Sequence, residues 1–179
     1  MTEREFPLYL APVLFLLMLV DTHLTAFLSN LSNFHYIWNV HLVLIVFLWA
    51  AYSLPKMPTI ALSFVLGLFY DCYYLGIIGI YTVCLTVMVW LLYVFHGVIY
   101  QNLYTMFFAL VIFVTGYEVI LLVTQILFKL STTTSVFFIS RYLAPTLLVN
   151  IILFAITLIP LKRLFKSKVL FLTIAILTQ

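Results

Sequence analysis

The chain has 179 residues, of which 66% are hydrophobic and only 7% are charged, with a formal net charge of +3. Its mean hydropathy is +1.28. So few charges cannot cover the surface of a water-soluble domain, and disordered chains have the opposite composition. The apolar runs are also far longer than the roughly 10 alternating residues of a membrane β-strand. The composition therefore excludes a soluble enzyme and predicts an all-α, polytopic membrane protein.

Six apolar stretches predict six transmembrane helices, because polar residues, prolines or glycines separate each stretch from the next. Residues 29–33 are mostly polar, Pro55 and Pro58 interrupt the helix, and Gly76 and Gly79 mark a further turn. The predicted spans are 6–28, 36–54, 58–75, 80–95, 104–128 and 142–161. Residues 136–141 are expected along the membrane interface. Residues 1–161 would thus form one transmembrane domain, and residues 162–179 a tail that is basic and then apolar.

The cations indicate the orientation of the chain in the membrane. Lys162, Arg163, Lys166 and Lys168 form a cluster that is typical of a cytoplasmic membrane flank. Six spans place both termini on one side, and that side collects six of the eight cations, including Arg4. We therefore expect both termini in the cytoplasm. The cluster lacks the aromatic and basic interleaving of nucleic-acid binders, so no nucleic-acid partner is expected.

Three acidic residues lie inside predicted spans, where acids are rare and usually paired or functional. Asp21 falls in the first span, Asp71 in the third and Glu118 near the middle of the fifth. A charge at the bilayer centre costs about 2.5–3.5 kcal/mol, so we expect Glu118 to be paired or protonated. One interpretation is a proton or cation path. The other, which we favour, is that the acids fix the bundle by pairing between helices, with Arg141 as the candidate ion-pair partner.

Ser63, Gly67 and Asp71 are spaced four residues apart and therefore share one face of the third predicted helix. Small residues at this spacing allow another helix to approach closely. The face is predicted either to pack inside the bundle, which we favour, or to dock a membrane helix of a partner protein.

No motif in the sequence predicts catalysis or a bound cofactor. The sequence contains no serine nucleophile motif, zinc-protease motif, glycine-rich phosphate loop or paired carboxylates. His23, His35, His41 and His96 lack the convergent spacing of a metal site, and the two cysteines are isolated. We therefore expect no enzymatic activity, no metal and no cofactor.

Two short motifs stand out, one in the third predicted span and one in the sixth. Residues 67–76 read G-L-x-x-D-x-x-x-L-G, and residues 145–150 read P-T-x-x-x-N. The motif positions are Gly67, Leu68, Asp71, Leu75, Gly76, Pro145 and Asn150. Together with the chain length, the number of spans and the basic tail, these motifs resemble the MreD family of bacterial rod shape-determining proteins.

The resemblance implies a non-enzymatic scaffold of the cell-elongation machinery, which carries out peripheral peptidoglycan synthesis, in the bacterial cell membrane. The partners it implies are MreC, the RodA glycosyltransferase and a class B penicillin-binding protein, together with membrane lipids. The family is also similar in architecture to the six-helix substrate-binding subunits of energy-coupling-factor vitamin transporters. Such a transport subunit is the alternative, although the first span lacks the Ala-x-x-x-Ala-like face that those subunits carry.

A passive membrane clamp is the mechanism that we predict on this basis. The small-residue face of the third helix would line part of a groove for the membrane helix of MreC. We expect Asp71 to bond backbone donors at the turn before Gly76, and Asn150 to bond across helices. Pro145 is expected in the first turn of its helix, where its missing donor would be unpaired in any case.

Overall fold

The structure, a computed structural model, describes residues 6–75, 79–129 and 135–159, and this part of the chain is helical throughout apart from its connections. The helices are α1 (Phe6–Leu31), α2 (Leu42–Ser53), α3 (Lys56–Tyr70), α4 (Ile80–Val94), α5 (His96–Ile99), α6 (Leu103–Leu127) and α7 (Val136–Ile159). A π-helical turn, Asp71–Leu75, continues α3, and a second one, Ile139–Leu143, lies within α7. The predicted all-α class is confirmed. Gly76 and the predicted tail at 162–179 lie outside the described residues.

Three helices of the described part are long and apolar enough to cross a membrane: α1 from Leu10 onwards, α6 and α7. Helices α2 and α4 are apolar but shorter. The outward side chains of the long helices are large and hydrophobic, among them Leu16, Phe108 and Ile156. Such an exterior is suited to lipid rather than to water.

Helix α2 is the centre of the bundle. Its residues 42–51 are all buried, as expected of a helix that is apolar on every side and surrounded by others. Helices α1, α3, α4 and α6 pack against it. The hydroxyl of Tyr93 in α4 donates to the carbonyl of Leu54 at 3.0 Å, and the hydroxyl of Tyr100 donates to the carbonyl of Leu48 at 2.5 Å. These two bonds fix the C-terminal half of α2.

Helices α3 and α4 form an antiparallel hairpin. Asp71 bonds to residues at the start of α4, and at the other end of the hairpin the Lys56 Nζ lies 5.9 Å from the ring centre of Trp90. Gly79, just before α4, has a φ of +121°, a conformation that favours glycine because it has no Cβ. The hairpin thus presents the N-terminus of α4 to the end of α3.

Two predicted boundaries differ from the structure by more than one helical turn. The second span was expected to be helical from residue 36, but α2 begins at Leu42 and residues 37–41 are not helical. The sixth helix was expected from residue 142, but α7 already includes the apolar residues 136–138, so Pro145 lies in the helix interior rather than in the first turn. Pro145 has no N–H to donate to the carbonyl of Arg141, and that carbonyl instead accepts the backbone N–H of Ile37 at 2.9 Å.

Candidate functional site

A short connector between α1 and α2, residues 37–41, collects many of the polar contacts of the bundle. Unpaired backbone donors are costly in apolar surroundings. Each nitrogen of the connector therefore has an acceptor: Ile37 donates to the Arg141 carbonyl (2.9 Å), Trp38 to the Ser29 hydroxyl (3.3 Å), Asn39 to the Thr146 hydroxyl (3.1 Å), Val40 to the Thr25 hydroxyl (2.9 Å) and His41 to the Asn150 side-chain oxygen (2.8 Å). The acceptors alternate between α7 and α1, because successive donors of an extended backbone point in opposite directions.

Asp21 of α1 continues this series at the start of α2. Its two carboxylate oxygens accept the backbone N–H groups of Leu42 at 2.9 Å and Val43 at 3.1 Å. The first N–H groups of a helix have no partner within the helix, and a carboxylate also interacts favourably with the positive end of the helix dipole. Asp21 thus stabilises a helix that begins inside the bundle.

Glu118 of α6 lies against the connector and does not meet Arg141. One of its carboxylate oxygens is 2.8 Å from the His41 Nε2 and 2.8 Å from the Asn39 side-chain nitrogen. The guanidinium of Arg141 instead donates to the carbonyl of His35 at 2.7 Å and lies 5.5 Å from the ring centre of Tyr36. Among the described residues, Arg141 therefore pairs with none of the three intramembrane acids, because its side chain reaches out to the α1–α2 connection.

Asn150 of α7 bonds the backbone on both sides of Val40 in the connector. Its side-chain oxygen accepts from the His41 nitrogen, while its side-chain nitrogen donates to the carbonyls of Asn39 at 2.7 Å and Thr146 at 2.8 Å. The Arg141 carbonyl, to which Pro145 cannot donate, accepts the Ile37 nitrogen, and the Thr146 hydroxyl accepts the Asn39 nitrogen, so both groups hold the same connector. The residues of the P-T-x-x-x-N motif thus share one structural task.

Asp71 accepts backbone N–H groups at the start of α4, as Asp21 does at the start of α2. Its carboxylate accepts the backbone N–H groups of Gly79 and Tyr81, both at 2.7 Å, and of Thr82 at 3.1 Å, and it also accepts the Thr82 hydroxyl. Asp71 is completely buried. Its donors therefore lie on the far side of Gly76, at the start of α4, and not before it as expected.

The face of Ser63, Gly67 and Asp71 is covered by α4 within the chain. A Cβ atom built on Gly67 would overlap the Cα of Thr82 and would lie 3.1 Å from the carbonyl oxygen of Tyr81. Ser63 is completely buried, and its hydroxyl donates to the carbonyl of Ile60 at 2.8 Å. The close approach expected from these small residues therefore occurs inside the bundle, and the face offers no surface to a partner helix.

A cavity of about 230 Å³ lies between α1, the connector, the α3–α4 hairpin and α6. We call it the tyrosine cavity. Its lining includes Tyr70, Tyr81, Tyr117, Asp21, Asn39 and His41. The rings of Tyr70 and Tyr81 are stacked with their centres 5.4 Å apart, and the ring of Tyr117 lies edge-on to that of His41 at 5.1 Å. No group of three potential metal ligands occurs among the described residues.

The sequence-based prediction missed most of the groups that hold the connector. It named Asp21, Glu118 and Asn150, but not Thr25, Asn39 or the other side-chain partners. The available signal was the recurrence of hydroxyl and amide residues on the first and last spans around residues 22–32 and 146–150. Only the fold shows that both sets face the same five residues.

These features define a polytopic helical membrane protein whose buried polar residues bond mainly to its own backbone. The family of rod shape-determining protein MreD matches residues 2–169, and the chain belongs to that family. The resemblance found in the two motifs is thereby confirmed. The family is part of the MreBCD shape system, and the protein has a role in rod shape determination. No curated protein and no solved structure matches the chain, and nothing in the comparisons supports a vitamin transport subunit.

Proposed function

We propose that the protein is a non-enzymatic scaffold of the cell-elongation machinery, which binds MreC and works beside RodA and a class B penicillin-binding protein in the bacterial cell membrane. The single observation that carries this proposal is membership of the MreD family over residues 2–169. The internal use of the polar residues supports it. Asp21, Asp71 and Glu118 are occupied by backbone donors, an amide and an imidazole, so they act in holding the bundle rather than in a proton path.

The same proposal includes six membrane crossings with both termini in the cytoplasm. The second crossing would consist of the connector followed by α2, and the third of α3 with its π-helical turn. At about 3.3 Å per extended residue and 1.5 Å per helical residue, each is long enough to cover most of the roughly 30 Å hydrocarbon core. Six crossings within residues 1–161 would also match the number of helices in the substrate-binding subunits of energy-coupling-factor transporters, to which the architecture is similar.

An apolar groove between α4, α5 and α6 is the surface that we propose for the membrane helix of MreC. Its volume is about 580 Å³, and its lining includes Met88, Phe108, Ile112 and Gly116. Along α6 the groove runs from Thr105 to Ile120, about 22 Å at 1.5 Å per residue, which is most of the depth of a bilayer core. Gly116 lies in this lining against the flexible end of the Met88 side chain, which a partner helix can displace to approach α6 closely.

Site-specific photocrosslinking tests this proposal in cells that also produce MreC. A photoreactive residue at Ile112, which is 67% exposed in the groove, is expected to crosslink to MreC. A matched residue at Ile156 of α7, which is 64% exposed outside the groove, is expected to give no such product. Crosslinking of MreC from position 156 but not from position 112 would contradict the groove as the binding surface. It would not contradict the proposal that the protein is a scaffold that binds MreC.

Affinity purification of the unmodified protein in mild detergent tests the function itself. Co-purification of MreC and of cell-wall synthesis proteins is the expected result. Recovery of properly inserted protein without MreC, or together with an ATPase pair and a coupling subunit, would overturn the scaffold proposal.

A further inference from the structure

The tyrosine cavity is large enough to hold a small ligand. Protein interiors are usually packed as tightly as organic crystals, and an engineered cavity of about 150 Å³ is enough to hold benzene. The tyrosine cavity, at about 230 Å³, is larger. Its lining combines aromatic rings with hydroxyl, amide and carboxylate groups, so it differs from the dry apolar cavities that can stay empty.

Tyr117 contributes a hydroxyl group to the lining of the cavity. The residue is only 4% exposed and lines the cavity. Its hydroxyl makes no hydrogen bond to any residue that the structure describes, whereas Tyr93 and Tyr100 each donate to a carbonyl. The Tyr117 hydroxyl is not one of the fully enclosed groups without a partner, so it is accessible from the cavity and can bond to a ligand there.

The charges around the cavity select for a cation. The Asp21 carboxylate is part of the lining, which contains neither lysine nor arginine. The carboxylate of Asp71 lies just behind Tyr81, to whose backbone it bonds. His41 directs its Nε2 to Glu118, so any positive charge on that ring is balanced by a further carboxylate. An anion in the cavity would be repelled, and a cation would be attracted.

We propose that the tyrosine cavity binds a small ammonium group, supplied either by the headgroup of an ethanolamine lipid or by a free amine. The aromatic rings of Tyr70, Tyr81 and Tyr117 line the cavity and suit an ammonium group through cation–π attraction, and the Tyr117 and Asp21 oxygens can accept its hydrogen bonds. This proposal goes beyond the scaffold function, because neither MreC binding nor the partner groove requires it.

Thermal unfolding of the full chain in phosphatidylglycerol nanodiscs tests the charge argument with three small probes of similar size. Ethanolamine is expected to raise the midpoint of unfolding in a saturable manner, as a ligand of the folded state does. The neutral ethylene glycol and the anionic glycolate are expected to leave the midpoint unchanged. An equal response to all three probes, or no response to ethanolamine, would overturn the proposal unless the lipid experiment below is positive.

Nanodiscs that also contain phosphatidylethanolamine distinguish the two sources of the ammonium group. A higher midpoint in these discs without a response to free ethanolamine identifies the lipid headgroup, and a response to free ethanolamine identifies a free amine. A negative result in both experiments overturns the proposal.

Tyr117→Phe removes only the hydroxyl and keeps the ring. We expect it to raise the concentration of the effective probe needed for half-maximal stabilisation at least five-fold. Tyr104→Phe, at a residue that is 81% exposed and outside the cavity, is the matched control and is expected to leave that concentration unchanged. If Tyr117→Phe responds like the wild type, the cavity is not the binding site. The two wild-type experiments decide the proposal even if the variant does not fold.

Discussion

Asn150 and His41 are joined by a hydrogen bond of 2.8 Å between the side-chain oxygen of the first and the backbone nitrogen of the second, although 109 residues separate them in the chain. The bond fixes the last residue before α2 on the interior of α7. Since α2 is the central helix, the position of the whole core depends on contacts of this kind between the connector and its two neighbouring helices.

Asn150→Ala is expected to destabilise the protein by about 1–3 kcal/mol, because it leaves the His41 nitrogen and the Asn39 carbonyl without their partners in a buried site. The free energy of unfolding in mixed detergent micelles measures this loss. Asn30→Ala, at an exposed residue near the end of α1, is the matched control and should have little effect. Equal stabilities of the two variants would contradict the role given to Asn150.

Glu118 is expected to be energetically coupled to His41 and not to Arg141. A double-mutant cycle of Glu118→Ala and His41→Ala should give a coupling free energy of about 0.5–3 kcal/mol, since the two side chains are 2.8 Å apart. The same cycle with Arg141→Ala should give a value near zero, because the guanidinium bonds to the His35 carbonyl. A larger coupling free energy with Arg141 than with His41 would contradict this and support an ion pair between Glu118 and Arg141.

Three glycines should differ in their tolerance of alanine according to the space around each. Gly67→Ala is expected to be strongly destabilising, because the new Cβ overlaps the backbone of Thr82 and α3 and α4 must move apart. Gly116→Ala should be milder, since its Cβ meets only the flexible end of Met88 at 3.1 Å. Gly97→Ala, which adds a Cβ in open space, serves as the control. Thermal unfolding midpoints that do not follow this order would contradict the packing of the hairpin.

Asp71→Ala is expected to lower the yield of inserted protein before it causes any specific loss of MreC binding. It removes the acceptor of three backbone donors and of one hydroxyl at the buried start of α4. Membrane-fraction yield and MreC co-purification per folded molecule separate the two effects. Cys72→Ala, at the exposed next residue, is the control. A variant of normal stability that has lost MreC would show that Asp71 acts on the partner instead.

The three intramembrane acids show what could be predicted from the sequence and what could not. Hydropathy alone locates Asp21, Asp71 and Glu118 in apolar segments, and the cost of an unpaired charge there requires a partner for each. The choice of partner could not be predicted. A search for opposite charges favours Arg141, whereas Asp21 and Asp71 use backbone N–H groups at helix starts, which every residue except proline carries and which no residue pattern reveals.

The second predicted span shows that the start of a helix could not be predicted from the sequence either. Residues 36–54 are apolar enough to predict one continuous helix, and the sequence around residues 37–41 contains no proline or glycine that would interrupt it. The helix begins only at Leu42 because side chains of α1 and α7 satisfy the donors that a helix would otherwise satisfy. Local propensity is a weak term when distant groups supply all the hydrogen bonds.

The sequence by itself determined the membrane environment, the helical class and the MreD family, because composition and short motifs are local properties of the chain. The tertiary structure alone decided that the P-T-x-x-x-N residues hold the connector, that the Gly67 face is closed by α4 and that three tyrosines meet at one cavity. The physical reason is that these contacts join residues far apart in the chain, and only the packing of the helices around α2 brings them within bonding distance.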